Sequence, residues 1–360
     1  MLKLALNGYG RIGRCVLRAL YESRHRERMR IVAINEPADL ESMIHLTRFD
    51  STHGRFHLEV EPMEEGMRVA TDIIRVCHGT EPEAVDWAGA DLLLECSGRF
   101  GDRATAERYL RAGVPRLLVS NPMHDAGEVD ATVVFGVNEA VLGGRQAIVS
   151  NASCTTNCVV PLLHLLDARL GIESASITTV HSAMNDQPVQ DGYHRTDLRR
   201  TRSAMHSIIP VSTGLARGIE RLLPAMSGRV QAHHLRVPTM NVSLMDLNLV
   251  LDRAIGADAA NALLREAAAG ELAGVLAYSD QPHASCDFNH DPHSCIVDGT
   301  QTRSTGRLLR LLAWFDNEWG FANRMLDVAA CWAQASFRDG DGRVAGNGTG
   351  GAFSQTGGSA

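Results

Sequence analysis

The N-terminal stretch LKLALNGYGRIGR limits the fold more than any other part of the chain. A short apolar segment is followed by glycines at the spacing G-x-G-x-x-G and then by apolar residues at helical spacing, which predicts a strand, a tight turn and a helix. The glycines are Gly8, Gly10 and Gly13. They let backbone N–H groups approach a pyrophosphate, whose charge the helix N-terminus favours, so the segment predicts a dinucleotide-binding site.

An acidic residue, Glu36, ends the next apolar strand pattern, IVAIN, about 20 residues beyond the third glycine. Its carboxylate can accept a hydrogen bond from a ribose 2′-hydroxyl and would repel a 2′-phosphate. We therefore expect the cofactor to be NAD rather than NADP. A plain tight turn followed by a surface glutamate is the alternative interpretation.

Strand and helix patterns along the chain predict an α/β protein. DLLLECSG and RLLVSNP are strand patterns with a helical pattern between them, which indicates a doubly wound parallel sheet of the Rossmann type. After about residue 170 the strand patterns become longer and more alternating, as in VSLMDLNLVL, which predicts a mixed or antiparallel sheet in an α+β domain. The Gly-rich segment 339–360 nearly lacks large apolar groups, so we expect a disordered tail.

The composition excludes several classes of protein. The formal net charge is −7, so there is no basic excess to meet the phosphates of nucleic acid or of a membrane surface. No apolar run reaches the roughly 18 residues of a membrane span. The eight cysteines are scattered without a paired framework, which is typical of reduced thiols in a cytoplasmic protein.

The segment SNASCTTNC places two cysteines where a small polar turn becomes a leucine-rich helix. A thiol in the first helical turn feels the positive end of the helix dipole, which would lower its pKa and favour the nucleophilic thiolate. This makes Cys154 the candidate nucleophile. Cys158 lies one turn further along and is better explained as a buried small residue. From this segment alone, a packing role for Cys154 is an equal alternative.

A nucleophilic cysteine needs a base that lies near it in space. The chain has 15 histidines, and His181 is the best candidate because it ends the strand pattern SASITTVHS just before a polar loop. The segment HDPH, His290–His293, could suggest a metal site. It lacks partners at convincing ligand spacing, so we expect no metal.

Groups suited to phosphate oxygens follow in the same half of the chain. Arginine forks and hydroxyl groups bind such oxygens well. For DLRRTR alone, a solvated face would be the better interpretation, but these groups share a predicted domain with the thiol. The candidates are Arg199, Arg200, Arg202, Ser212, Thr213, Gly214 and Arg236.

Taken in order, these segments resemble the glyceraldehyde-3-phosphate dehydrogenase superfamily over about residues 2 to 337. The matching motifs are NGYGRIGR, SNASCTTNC, TTVHS, DLRRTR, IIPVSTG, LRVPTMNVS and WFDNEWGFANRM. The resemblance implies that Cys154 attacks an aldehyde carbon and that His181 takes the hydroxyl proton as hydride leaves for the nicotinamide. A thioester on Cys154 would result.

The resemblance also implies further roles and an organisation for the chain. An NAD-binding domain would comprise residues 1–153 and 318–338, a catalytic domain would comprise residues 154–317, and the assembly would be a homotetramer. The segment between His181 and Ile208 would lie near a neighbour's cofactor. Additional cofactor-binding residues would be Arg11, Ile12, Ser120 and Asn317, and a sugar phosphate would be bound by Ser153, Thr155, Arg200, Thr213, Gly214 and Arg236.

Two branches of this superfamily differ in how the thioester is released. One transfers the acyl group to inorganic phosphate. The other oxidises D-erythrose 4-phosphate and releases 4-phosphoerythronate with water, which feeds pyridoxal phosphate synthesis. Met184 stands where the glycolytic enzymes usually have a phosphate-binding threonine, and a thioether cannot donate that hydrogen bond. AINE, FDSTHGRF and DFNHDPHSCIVDGTQTR also resemble the erythrose branch.

Thr213-Gly214 points the other way, because it is the glycolytic type of sequence at that place. We therefore expect an erythrose-4-phosphate-oxidising enzyme, with the phosphorylating triose enzyme as the alternative. A non-catalytic nucleotide-binding or redox-sensing protein is a third possibility, which the presence of both Cys154 and His181 disfavours.

Overall fold

The computed structural model describes residues 1–344, with the side chains of residues 1–335. The strands are β1 (Leu2–Asn7), β2 (Met29–Asn35), β3 (Phe49–Asp50), β4 (Gly54–Arg55), β5 (Val60–Met63), β6 (Gly66–Val69), β7 (Asp72–Cys77), β8 (Leu92–Glu95), β9 (Leu117–Val119), β10 (Ala131–Thr132), β11 (Ile148–Ser150), β12 (Ile172–His181), β13 (Ile209–Val211), β14 (Val230–Arg236), β15 (Ser243–Leu251), β16 (Leu276–Ser279), β17 (Cys295–Asp298), β18 (Arg303–Thr305) and β19 (Leu308–Phe315).

The α-helices are α1 (Arg11–Glu22), α2 (Leu40–Arg48), α3 (Arg103–Arg111), α4 (Cys154–Leu170), α5 (Leu215–Leu222), α6 (Ala257–Ala269) and α7 (Trp319–Val344). Short 3₁₀ helices cover Arg24–Glu27, Pro82–Ala84, Ala126–Glu128, Glu139–Val141, Leu198–Thr201, Pro224–Met226, Ser285–Phe288 and Gly299–Gln301.

The first sheet has the strand order β10-β11-β9-β8-β1-β2-β7-β6-β5. All pairs from β10 to β7 are parallel, and the pairs β7–β6 and β6–β5 are antiparallel. The central strands are apolar on both faces because helices cover both sides of a doubly wound sheet. The predicted Rossmann-type domain is therefore confirmed, and the antiparallel edge is an addition that the strand patterns did not indicate.

The second sheet has the order β13-β14-β12-β15-β19-β17-β16, and β18 pairs with β19 outside this path. It is mixed, because β12–β14 and β16–β17 are parallel whereas β12–β15, β15–β19 and β17–β19 are antiparallel. In β15 buried residues alternate with half-buried ones along the whole strand, as expected for a sheet with one covered face. The prediction of a mixed catalytic sheet is confirmed.

Helix α7 returns from the second sheet to the first half of the chain and packs beside α1. Its Met325 and Trp332 are fully buried in one apolar cluster with Val16 and Leu20 of α1. The helix is described as far as Val344, and the disordered tail expected over 339–360 stays a prediction. The rest of that predicted tail, 345–360, lies outside the described residues.

Candidate active site

The candidate nucleophile lies at a sharp turn between β11 and α4. Ala152 has a φ of 56°, the left-handed conformation that non-glycine residues rarely adopt. Ser153 caps the helix by accepting a hydrogen bond from the Thr156 N–H at 3.1 Å. Cys154 is then the first residue of α4, which brings its thiol to the helix N-terminus as the sequence indicated.

The imidazole of His181 faces this thiol, with 3.7 Å between Nε2 and Sγ. His181 ends β12, and only 2% of it is exposed. Its Nδ1 lies 2.8 Å from the carbonyl oxygen of Ser182, so Nδ1 carries the proton and donates it there. The lone pair of Nε2 therefore points at the sulfur, which is the tautomer that a general base requires.

Burial makes this a neutral pair in the free protein. It raises the pKa of the Cys154 thiol to about 11, although the N–H groups of Thr155 and of Cys154 itself act in the opposite direction. Burial also lowers the pKa of His181. The sequence-based prediction of a lowered thiol pKa is thus wrong, because desolvation of the thiolate outweighs the helix N-terminus. A thiol in this state would have to pass its proton to His181 in order to act as a nucleophile.

A second histidine, His234 on the neighbouring strand β14, stacks on His181. Their ring centroids are 5.1 Å apart, with an angle of 26° between the planes. Burial, followed by the proximity of His181 and Arg236, lowers the pKa of His234 to about 3. His234 therefore contributes a neutral ring beside the base. No sequence signal distinguished it from the other histidines.

The thiol and the imidazole open onto a cleft of about 860 Å³. The predicted residues that line it come from both halves of the chain: Gly10, Arg11, Ile12, Ser120, Ser153, Cys154, His181 and Asn317. Met184 lines the same cleft together with Met205 and Met240, which give one wall an apolar surface. Met205 and Met240 were not predicted, since methionines in polar segments carry no distinctive pattern.

A second cleft, of about 630 Å³, continues from the first and shares Gly10, Cys96, Ser97 and Pro122 with it. Gly8 lies between the sheet and the cleft with a φ of 84°, and a Cβ there would lie 2.5 Å from the Ser97 nitrogen. Gly10 precedes α1 and offers no side chain to cap it. The first N–H groups of α1 are thus available to a pyrophosphate.

A close approach of two backbone segments explains the third glycine. A Cβ on Gly13 would lie 2.3 Å from the Gly8 carbonyl oxygen. Glu36, at the end of β2, lines the second cleft, and its carboxylate accepts a hydrogen bond from the Tyr9 N–H at 2.7 Å. The turn, the helix end and this carboxylate fit the diphosphate and adjacent ribose of NAD.

Asn317 is oriented by two serines that the sequence did not single out. Its Oδ1 accepts hydrogen bonds from Ser182 Oγ at 3.0 Å and from Ser243 Oγ at 2.9 Å. These bonds leave Nδ2 as the group that Asn317 can offer to a ligand in the cleft. An amide N–H at this place suits a carboxamide oxygen, in agreement with the expected role of Asn317 toward the nicotinamide.

The structure joins Arg200 and Arg236 through a carboxylate that sequence reasoning missed. Asp186 accepts from Arg236 Nη1 at 2.6 Å and from Arg200 Nη1 at 3.1 Å. Arg236 is 6% exposed and pairs across the sheet with His181. Neither arginine lines the cleft. In the free protein Asp186 therefore occupies the arginine fork that the sequence assigned to a phosphate.

The remaining predicted substrate residues lie beside the cleft rather than on its wall. The Thr213 hydroxyl accepts from the Leu215 N–H at 3.1 Å, and Gly214 is the N-cap residue of α5. A Cβ on Gly218 of α5 would lie 3.3 Å from Thr156 Oγ1, so α5 packs next to the first turn of α4. Thr155 is buried, and its hydroxyl lies 2.9 Å from that of Ser153.

Within residues 1–335, Cys15, His53 and Glu318 form a group whose ligand atoms lie close enough for one metal ion. The Arg11 guanidinium already pairs with Glu318, and a cation at this place disfavours a second one. In the HDPH segment, His293 contacts Asp291, whereas His290 contacts Glu22, so the two histidines do not share a partner there.

Among the described residues, no helix is long and apolar enough to cross a membrane.

A dinucleotide cradle that opens onto a paired thiol and imidazole is the arrangement expected of an NAD-dependent dehydrogenase. Residues 2–103 match the model for the NAD binding domain of glyceraldehyde 3-phosphate dehydrogenase. Residues 153–317 match the model for the C-terminal domain of the same enzyme. The chain therefore belongs to the glyceraldehyde-3-phosphate dehydrogenase family, and its cofactor is NAD.

Proposed function

We propose that this dehydrogenase oxidises D-erythrose 4-phosphate to 4-phosphoerythronate and releases the product with water, feeding pyridoxal phosphate biosynthesis. The observation that carries the proposal is the anion region beside His181. There, Asp186 neutralises Arg236 and Arg200, and Met184 lines the cleft with a thioether. A triose phosphate reaching this region meets a carboxylate and no hydroxyl donor at Met184.

The pair of Cys154 and His181 provides the first chemical step. Sγ forms a bond to the aldehyde carbon while the thiol proton passes to His181 Nε2, and that proton then moves to the substrate oxygen. His181 next removes the hydroxyl proton as hydride leaves the carbon, and NAD held by the glycine turn and Glu36 would supply the hydride acceptor. The carbonyl is re-formed, and the acyl group remains on Cys154 as a thioester.

The same base can serve the release step. After His181 has released to solvent the proton that it took from the hydroxyl, a water molecule that donates to Nε2 would lose a proton to it as its oxygen bonds to the thioester carbon, and His181 would pass that proton to the leaving sulfur. The position of Nε2, 3.7 Å from Sγ, suits both steps because the acyl carbon is bonded to that sulfur.

The expected selectivity follows from one lost hydrogen bond. A hydrogen bond to a charged group contributes about 1.5–3 kcal/mol, which corresponds to roughly 10- to 150-fold in specificity. Erythrose 4-phosphate is one carbon longer than the triose, so its phosphate should lie farther from Cys154. We therefore expect a preference for erythrose 4-phosphate with weak residual activity on the triose.

Phosphorolysis of the thioester is the second candidate function. Thr213 and Gly214 at the start of α5 support it, because Gly214 leaves the helix N-terminus without a side-chain cap and the helix packs beside the first turn of α4. A helix N-terminus can bind inorganic phosphate. Phosphate held there would compete with water for the thioester.

The test measures NADH formation from each sugar phosphate, with and without inorganic phosphate. The wild-type enzyme should prefer erythrose 4-phosphate and need no phosphate. The double substitution Met184→Thr/Asp186→Thr should increase triose turnover by about 10-fold or more, since it supplies hydroxyl donors and removes a carboxylate. Met240→Leu, an apolar change on the same cleft wall, is the control and should leave the preference unchanged. Preference for the triose with an absolute need for phosphate would establish the glycolytic reaction instead.

A further inference from the structure

His234 covers one face of the His181 imidazole and takes no part in the reaction steps described above. It lies on β14, which pairs in parallel with β12, and its register partner there is Thr179, two residues before His181. Because alternate residues of a strand share a face of the sheet, His234 and His181 project from the same face. Their rings stack there, with centroids 5.1 Å apart and an angle of 26° between the planes.

The His181 ring is held by contacts on different sides. Its Nδ1–H donates to the carbonyl oxygen of Ser182 at 2.8 Å. Phe315 of β19 makes an edge-to-face contact with it, with centroids 6.2 Å apart and an angle of 69° between the planes. His234 covers a face. Together these contacts keep Nε2 directed at the sulfur of Cys154.

The two histidines meet through their faces and not through their nitrogens. Among the described residues, Nε2 of His234 is buried and has no hydrogen-bond partner. A hydrogen bond between two imidazoles runs along the ring planes, whereas stacked rings present their π faces to each other. His234 therefore neither takes a proton directly from His181 nor fixes its tautomer, and its contribution is the face of an aromatic ring.

His234 stands between the base and the outside of the protein. It is only half-buried, whereas His181 is 2% exposed. His234 does not line the reaction cleft. Replacing its ring with a methyl group would therefore open a path for water to the covered face of His181.

The covering ring is itself uncharged. Burial, followed by the proximity of His181 and Arg236, lowers the pKa of His234 to about 3, so the ring is neutral from about pH 5 upward. A neutral ring desolvates the imidazole beneath it without competing for the same proton.

Desolvation is the strongest influence on the base. Burial lowers the pKa of His181, and Arg236 acts in the same direction, whereas the Ser182 carbonyl and the Asp186 and Glu318 carboxylates act in the opposite one. A facing aromatic ring also attracts an imidazolium, but this attraction is weaker than the desolvation of a fully buried group. Removing the cover should therefore raise the pKa of His181. The other ionisable groups near the two rings are Cys154 of α4 and Arg200.

We propose that His234 is a positioning residue for the base: its neutral ring holds the His181 imidazole and keeps water from its covered face, so that Nε2 remains a free acceptor in mildly acidic solution. The inference rests on the proposed role of His181 in aldehyde oxidation. Protonated His181 has no lone pair at Nε2 and cannot accept a proton from the thiol or from the hydroxyl. Without the cover, water would stabilise the imidazolium, and the base would be lost at a higher pH.

Titration of His181 in the free enzyme needs no substrate, so it separates this inference from the proposed function. The NMR signal of the His181 ring, identified by its loss in His181→Asn, should have a lower titration midpoint in the wild type than in His234→Ala. His234→Phe keeps an aromatic face without nitrogens and should titrate like the wild type. His233→Ala changes the exposed neighbour on the same strand and is the matched control, which should also titrate like the wild type.

The same proteins are then compared by rapid-mixing measurement of NADH formation, with whichever sugar phosphate the enzyme oxidises. Relative to its own rate at about pH 8, His234→Ala should be about 10-fold slower than the wild type at about pH 5. His234→Phe and His233→Ala should follow the wild-type profile. Ionisation of the substrate phosphate affects all four proteins alike, so it cancels in the comparison.

Two results would overturn the inference. An unchanged midpoint in His234→Ala would show that the ring does not control access of water to His181. A midpoint in His234→Phe equal to that of His234→Ala would show that a nitrogen, and not the ring face, is what matters. His234→Ser removes the same ring and repeats the comparison, and thermal unfolding confirms that each protein compared is folded.

Discussion

The thiol of Cys154 is kept neutral by its own burial, which distinguishes it from a permanently activated cysteine. Its pKa is raised to about 11, so the thiolate fraction should increase about tenfold per pH unit from about pH 7 to about pH 10. The rate of alkylation of the free enzyme by iodoacetamide should increase in the same proportion.

The alkylation is best measured in a Cys286→Ser background, because Cys286 is exposed and would react as well. Adding Cys154→Ser to that background gives the blank for the remaining thiols. A rate that is already constant below pH 7 would show a preformed thiolate and contradict a neutral pair.

His181 accepts protons at Nε2 because Ser182 fixes its tautomer through Nδ1. In His181→Asn the amide cannot take up a proton, so the first turnover of NADH should slow by roughly 10²–10⁴-fold. Rapid-mixing measurements of the NADH burst test this, with NAD affinity measured alongside as the control. An unchanged burst rate would remove His181 as the base.

Helix α4 depends on its cap to place the nucleophile. Ser153→Ala removes the oxygen that accepts from the Thr156 N–H, and the loss of an N-cap costs about 0.5–2 kcal/mol in the free energy of unfolding. Ser153→Thr retains that oxygen and should lose much less. Urea unfolding of both variants is the measurement, and equal losses would mean that the cap does not stabilise the helix.

The elements that sequence predicts well are those whose signal is local. Two kinds of local signal, the spacing of apolar residues and the residues that favour turns, predict three elements. These are the strand Leu2–Asn7, the glycine turn after it and the first turn of α4. The thiol pKa could not be predicted in this way, because it depends on burial by chain segments distant in sequence. The sequence shows that Cys154 begins a helix, which would lower the thiol pKa. It does not show the burial that raises this pKa more strongly.

The contacts that sequence misses join distant parts of the chain. Asp186 lies in a polar loop, and nothing local indicates that Arg236 will reach it from β14. His290 was noted only as part of a possible metal motif, and its contact with His53 depends on how the two halves of the chain meet. These partners became visible only in the folded chain.

At the scale of the whole molecule, we propose a homotetramer built partly through the segment between His181 and Ile208. Large apolar side chains are exposed there, including Val189 at 71% and Leu198 at 85%. Exposed apolar residues grouped in one segment favour a protein interface. Light scattering during gel filtration should give the mass of four chains, and a monomer mass would contradict the proposal.

The fate of the thioester tests the account most directly. We would run the reaction with erythrose 4-phosphate in ¹⁸O-labelled water containing inorganic phosphate and examine the product by mass spectrometry during the first turnovers. Release by water predicts 4-phosphoerythronate with at least one ¹⁸O atom in its carboxylate for each NADH formed, and no acyl phosphate. An acyl phosphate formed in proportion to NADH would contradict it and establish phosphorolysis.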